Sequence, residues 1–268
     1  MYNPILVFDI ETKIDIHSGR ILYDFELNDE DSEQALIKLR RQETGQEFQR
    51  LALHEIVCIS GFWFNEGDIK LFSWTQEQYS ETEIIQKFFK VFQKYQQYSP
   101  RIVTWNGSQF DLPVLMIRSM LHGLSSAYLW DNGELFSQKR YQNYVNRYHH
   151  QHIDLMDQLA MFHQKHFAKL DDMAHFFGLA GKPELDLNGA IKQQNWSIVR
   201  QYCESDVLNT WLIYLRWSLL KGQLDGESHD NMVHETLAYL QEQAHCQNFI
   251  ERWQHYAQKN VFSQRFFP

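Results

Sequence analysis

The stretch that most limits how this chain can fold is "ILVFDIETK", residues 5–13. Four apolar residues in a row, Ile5 to Phe8, leave no polar face, so the segment reads as a central strand. It runs straight into Asp9, Ile10 and Glu11. Residues i and i+2 of a strand share a face, so the two carboxylates project together. Like charges side by side repel and are costly to desolvate, and a divalent cation is the usual compensation. A strand end at the surface with two solvated acids is the plain alternative for Asp-x-Glu alone.

The rest of the chain narrows the class. With 268 residues, 44% of them hydrophobic and 22% charged, a sizeable core is within reach of a soluble globular protein. No apolar run approaches the roughly 18–20 residues that cross a bilayer. The first residues enter the strand without an export signal. A cytoplasmic protein with no membrane association is the expectation. Cys58, Cys203 and Cys246 stand far apart with no Cys-x-x-Cys pair, against a zinc ribbon or disulfide framework. A formal net charge of −9 speaks against broad attraction to nucleic acid. It leaves room for a nuclease whose acidic site is neutralised by metal ions, with local basic contacts and salt-sensitive binding.

Residues 14–49 are polar and charge-dense and read as a solvated, partly helical excursion. "HEIVCISGFWF" (54–64) and "DIKLFSW" (68–74) are β-rich runs, with "NEGD" (65–68) a hairpin turn between them. Ile84, Ile85, Phe88, Phe89, Val91 and Phe92 follow helical spacing. "RIVTW" (101–105) is a further strand, followed by a loop that turns into a helix ending near His122. "HIDLMDQL" (152–159) begins as a short strand; Trp196–Leu220 is a long helix, and 230–259 a last helical stretch. Early antiparallel strands followed by strands alternating with helices predict one α/β domain around a mixed sheet. That domain spans 1–268, with a core of about 4–220, an insertion of about 14–50 and a helical extension of about 228–260.

Two further signals join Asp-x-Glu. "NGSQFDLP" presents Asp111 at a helix start, where exposed N–H groups favour a carboxylate; a simple helix-start acid is the alternative. In "YCESDVLNT", Tyr202 and Asp206 are four apart and share a helix face. They sit in the register of Trp196 and Val199, which brings Asp206 near the buried side. There an unpaired carboxylate would be expensive.

The order strand Asp-x-Glu, loop Asp, helix Tyr-x-x-x-Asp resembles the DEDD superfamily of 3′–5′ exonucleases on the ribonuclease H-like fold. Within it, "FDIET", "NGSQFDLP" and "YCESD" are similar to the three motifs of the tyrosine-bearing subgroup. "HIDLMDQL" resembles a segment of the stand-alone, polymerase-B-like 3′–5′ exonucleases, and the likeness runs from about Pro4 to Leu215. The resemblance implies Asp9, Glu11, Asp111 and Asp206 as ligands of two Mg²⁺ or Mn²⁺ ions. All-oxygen donors suit such hard cations, and an ion pair of that kind can activate water and stabilise a leaving 3′-oxygen. It implies Tyr202 as the residue that positions the attacking water, its ordinary pKa near 10 favouring orientation over deprotonation. Ile10, Thr12, Asn106, Phe110 and Asp154 are implied as substrate contacts, Phe110 by stacking on a base. The partners implied are 3′ ends of single-stranded DNA or RNA, DNA favoured, with nucleoside 5′-monophosphates as products.

Three points stay open. A sister subgroup carries histidine five residues before its last aspartate, a spacing offered here by His152 and Asp157; Gln201 stands at that place before Asp206. His17, Arg40, Arg41, Lys139 and Arg140 are phosphate-contact candidates or, more simply, solvated surface. "FFGLAGKPELDLNGA" has Ala180 where the family commonly has proline, which argues against carrying a substrate role to Lys182. A catalytically silent binding module of the same fold is the alternative function, and loss of an acid would have favoured it. Endonucleases and integrases of the wider group generally lack the helical Tyr-x-x-x-Asp. About sixty residues follow Asp206, too few for a polymerase.

Overall fold

The computed structural model describes residues 4–65, 67–95 and 99–267. The apolar run at Ile5 opens a strand, β1 (Ile5–Ile14), that continues through both acids instead of stopping at Phe8. Long-range pairing carries it on. Ile5 to Glu11 run antiparallel to Phe64 to Cys58 of β2 (His54–Asn65), and after a bulge at Glu11/Thr12 the pairing resumes as far as Ile14. β3 (Asp68–Thr75) returns antiparallel on β2, Asp68 opposite Asn65; Glu66 of the expected turn lies outside the described residues. β4 (Arg101–Thr104) lies parallel to β1 on its other side, and β5 (His152–Asp154) parallel to β4. Among the described residues the order is β3-β2-β1-β4-β5, a mixed sheet with β1 in the middle.

The expected excursion after β1 forms two capped helices, α1 (Ile16–Tyr23) and α2 (Asp29–Thr44). Asp15 caps α1 by accepting from the Ser18 N–H, and Asn28 caps α2 from the Asp31 N–H. Alternation along β1 then divides the core. Leu6, Phe8 and Ile10 face α3 (Glu81–Tyr95) and α4 (Asp111–Leu121), where Phe88 and Leu115 are fully buried. At about 2 kcal/mol for each large apolar side chain removed from water, this layer is a major source of stability. A four-residue helix, α5 (Ala127–Trp130), closes it through Leu129.

Ile5 and Val7 face the opposite layer. There the chain forms α6 (Leu155–Leu159), α7 (Leu170–Phe176) and α8 (Leu187–Lys192) before α9 (Trp196–Leu220), whose bounds match the periodicity. From Cys203 to Leu215 α9 is buried on every side because it lies between the sheet and α10 (Gly226–Gln241), Trp211 packing on Phe62 and Phe64 while its Nε1 donates to Thr236. The last stretch is not one helix. It breaks after Gln241 into a 3-10 turn, Ala244–Cys246, and α11 (Gln247–Ala257), burying Cys246 and turning Phe249, Ile250 and Trp253 inward. Among the described residues no helix is long and apolar enough to cross a membrane.

Candidate active site

Asp9 and Glu11 continue the row begun by Ile5 and Val7, so they face α9. α9 answers with Cys203 and Asp206: the Cys203 thiol donates to the Asp9 carbonyl at 3.4 Å and lies 3.6 Å from Asp9 Oδ2. From the other side Asp111, first residue of α4, accepts the Ile10 N–H at 3.1 Å through Oδ1. Asp9, Glu11, Asp111 and Asp206 thereby line one cavity of about 620 Å³, with Ile10, Asn106, Phe110, Asp171 and Lys182 also in its wall.

The turn before α4 is held from below. Asp154 accepts from the backbone N–H of Asn106 (2.9 Å) and of Ser108 (3.0 Å), and from the Ser108 hydroxyl (2.5 Å). Asn106 takes a left-handed φ of 66°, a conformation asparagine tolerates. Gly107 passes so near Thr104 that any Cβ would collide with its side chain. The result is Phe110 in the cavity wall, while the Asp154 carboxylate is engaged with the turn. Thr12 lies one step beyond the bulge, its hydroxyl 2.9 Å from His54 Nδ1.

Two lysines, Lys169 and Lys182, line the cavity, and Lys182 reaches the acids. Its Nζ is 2.6 Å from Asp206 Oδ2 and 3.3 Å from Tyr202 Oη. Tyr202 and Asp206 thus share a helix face, joined through one ammonium. The departure at Ala180 does not keep Lys182 away. Its backbone N–H donates to Asp171 (2.7 Å), Asn209 brackets Gly181 with two hydrogen bonds, and Arg252 of α11 donates to the carbonyls of Ala180 and Gly181. Gly181 itself has φ 66°, and a Cβ there would meet His175. No short-range pattern announces this lysine; the contacts that aim it are all distant in sequence, except that of Asp171, eleven residues away. Asp171, a fifth carboxylate in the wall, sits in the first turn of α7 and was not among the site residues expected from the sequence.

Negative charge is in excess here. Burial, then Asp111, Glu11 and Asp206, hold the Asp9 carboxyl well above the usual range, against Lys182. Burial and Asp206 do the same to Glu11, and burial raises Asp206. Asp111 is pushed up to about 7 by burial, opposed by backbone N–H groups. Burial works against the Lys182 ammonium, but Asp206, Tyr202 and Asp9 hold it charged. Among the described residues Asp206 Oδ1 is buried with no hydrogen-bond partner. A buried carboxylate oxygen without a donor, among three more acids, fits a hard divalent cation. Cys203 brings its sulfur within 4.8 Å of the ligand atoms of Asp9 and Glu11. Burial and Cys58 raise its pKa, so it stays a thiol and a poor ligand for such an ion.

His152 and Asp157 take other partners. His152 Nε2 meets the Thr104 hydroxyl at 2.8 Å, with burial lowering its pKa to about 4, and Asp157 pairs with Arg147 at 2.5 Å. Of the basic residues read as solvated surface, Lys139 is an exception, 3% exposed against the rings of Tyr128 and Tyr144.

Residues 46–256 match the family described as predicted 3′–5′ exonuclease related to the exonuclease domain of PolB, a span containing Asp111, Tyr202 and Asp206. No curated protein matches significantly. A solved structure similar in fold is the family B DNA polymerase from the hyperthermophilic archaeon Pyrobaculum calidifontis, with TM-score 0.51 and 16% identity over 82% of this chain. The match covers 25% of that polymerase chain. The mixed sheet with helices on both faces is accordingly an α/β fold of the ribonuclease H-like kind.

Proposed function

Since the chain belongs to the family of predicted 3′–5′ exonucleases related to the exonuclease domain of PolB, we propose that it is itself a metal-dependent 3′–5′ exonuclease. It removes nucleoside 5′-monophosphates from the 3′ ends of single-stranded nucleic acid, DNA favoured, as one domain acting in the cytoplasm. The observation that carries this is the meeting of Asp9, Glu11, Asp111 and Asp206 in one cavity, where Lys182 pairs with Asp206.

Asp9, Glu11, Asp111 and Asp206 would hold two Mg²⁺ or Mn²⁺ ions, which supply charge stabilisation for in-line displacement at phosphorus. Burial keeps the Tyr202 hydroxyl protonated, so Tyr202 orients the attacking water as a hydrogen-bonding group. Lys182 keeps Tyr202 and Asp206 in one arrangement and adds positive charge beside the phosphate. Phe110 stacks on the terminal base. Asn106 and Ile10 border the same nucleotide, Thr12 contacts the strand just beyond it, and Asp154 contributes by fixing the Asn106–Phe110 turn.

The test incubates the protein with 5′-labelled DNA and RNA oligonucleotides and Mn²⁺. A ladder shortening from the 3′ end is expected, lost with EDTA and in Asp9→Ala. Tyr202→Phe should slow cleavage by about 10²-fold, the range for a group that positions a proton donor or acceptor. His152→Ala should leave the rate within a few fold. If the wild type shortens neither polymer, the reading fails in favour of a silent binding module.

A further inference from the structure

Beyond the acids, the cavity meets a second hollow. Phe110 lines the acidic cavity, and its ring centroid lies 5.4 Å from that of Phe48 and 5.0 Å from that of His54. Phe48 and His54 in turn line a neighbouring hollow of about 660 Å³, walled by Thr12 and Ile14 of β1, Ile37 of α2 and Trp196 of α9. The two spaces share β1: Glu11 belongs to one and Thr12 to the other.

Phe48 comes from the insertion and is 55% exposed, yet it is not loosely held. Its carbonyl accepts from Arg40 Nε at 2.8 Å. The next residue, Gln49, is buried and donates to the carbonyls of Glu47 (2.9 Å) and Leu36 (3.4 Å). A large ring kept half in water on a fixed support, tilted by 57° against the ring at the cavity wall, is a preorganised stacking surface. Lys13 and Lys192 stand on the rim, paired at 3.1 and 3.0 Å with Glu55 and Glu33. Such exposed pairs are worth about 0–1 kcal/mol, so a phosphate can take either lysine at little cost. The volume lies within the roughly 300–1,000 Å³ of small-ligand sites, room for a nucleotide.

We propose that this hollow is the subsite for the unpaired strand on the 5′ side of the 3′-terminal nucleotide, with Phe48 stacking on the adjacent base. The inference rests on the exonuclease reading, which places the 3′ end at the acids. On it, the insertion extends the aromatic platform by one residue that the sheet and α4 do not supply.

The test compares wild type, Phe48→Leu and Phe48→Tyr on two substrates. One is a single-stranded 12-mer. The other is thymidine 5′-(p-nitrophenyl phosphate), which offers a terminal nucleotide with no base before it. Phe48→Leu should raise KM for the 12-mer about tenfold, within the cost of losing one base–aromatic stack, with kcat unchanged. Phe48→Tyr should restore it, and all three proteins should treat the nitrophenyl ester alike. An unchanged KM for the 12-mer in Phe48→Leu overturns the subsite and leaves the nuclease reading standing. An equal loss on the nitrophenyl ester also overturns it, because Phe48 would then serve the terminal nucleotide. A wild type inactive on both substrates overturns the nuclease reading, and the subsite with it.

Discussion

Arg118 and Lys182 each bring one cation among buried carboxylates, and the two clusters are finished differently. Arg118, 3% exposed, gives Nε and Nη2 to Glu81 (2.7 and 2.5 Å) and Nη1 to Asp15 (2.5 Å). Glu81 also accepts the Ile56 N–H and meets His122 at 2.6 Å, and Asp15 accepts from Ser18. Burial opposes the charge on Asp15, but Ser18 and Arg118 outweigh it and lower its pKa. At the second cluster the Lys182 ammonium pairs with Asp206 alone, burial pushes Asp111 up to about 7, and among the described residues Asp206 Oδ1 has no partner. Burial is common to both, so burial does not mark the functional cluster. Completeness does: the first closes its hydrogen bonds and clamps the insertion to α3 and α4, whereas the second keeps a charge deficit that a cation can fill.

The acidic cluster should respond most strongly to substitution. Asp111→Asn removes a charge the fold is better off without, but a ligand the chemistry needs. Cleavage should fall on the order of 10³-fold or more, the several kcal/mol that ion-mediated charge stabilisation is worth. The thermal midpoint without divalent ions should hold or rise. Single-turnover rates and a melting scan check both halves; a variant that melts far earlier would put this cluster in the same structural class as the Arg118 clamp.

Arg118→Ala is the mirror experiment. It leaves Asp15 and Glu81 buried without their partner, a change that typically costs about 3–5 kcal/mol. Urea titration should show that loss while cleavage per folded molecule stays within a few fold. Arg118→Lys should recover little, because an ammonium cannot reproduce the fork that bridges two carboxylates. A loss under about 1 kcal/mol for the alanine variant would end the clamp interpretation.

What could be read from the sequence was local. The bounds of α9 follow from its periodicity, and Asp9 with Glu11, or Tyr202 with Asp206, could be nominated because spacing alone puts them on one face. What escaped depends on distant partners. β1 runs past Phe8 because β2 pairs with it, and Lys182 points at Asp206 because Asn209, Asp171 and Arg252 shape the turn before it. The break between α10 and α11 has no glycine or proline to announce it, and Cys246 turns into the core there. Lys139, read as solvated surface, is enclosed by two tyrosine rings brought from either side of it in the chain.

The two clusters also respond oppositely, and more weakly, to pH. Unfolded, Asp111 titrates near 3.9; folded and without divalent ions, it titrates near 7. Between those values the folded chain holds a proton that the unfolded chain has lost, so stability falls as pH rises across that window. Asp9, Glu11 and Asp206 are raised and act in the same direction. Asp15 is lowered, so the stability it contributes is present above its unfolded value and is lost as pH falls through the folded one. A divalent ion must displace the protons of the acidic cluster, so it should bind and stabilise more at pH 8 than at pH 5. At a hundredfold excess over its dissociation constant the gain is about 2.7 kcal/mol, or roughly 5–10 °C for a chain of this size. Melting scans with and without Mn²⁺ at the two pH values measure it, and Asp111→Asn should shrink the pH 8 shift. An equal Mn²⁺ shift at both pH values would mean that the acids are already ionised in the ion-free fold, and the charge deficit at Lys182 would then be no different in kind from the balance at Arg118.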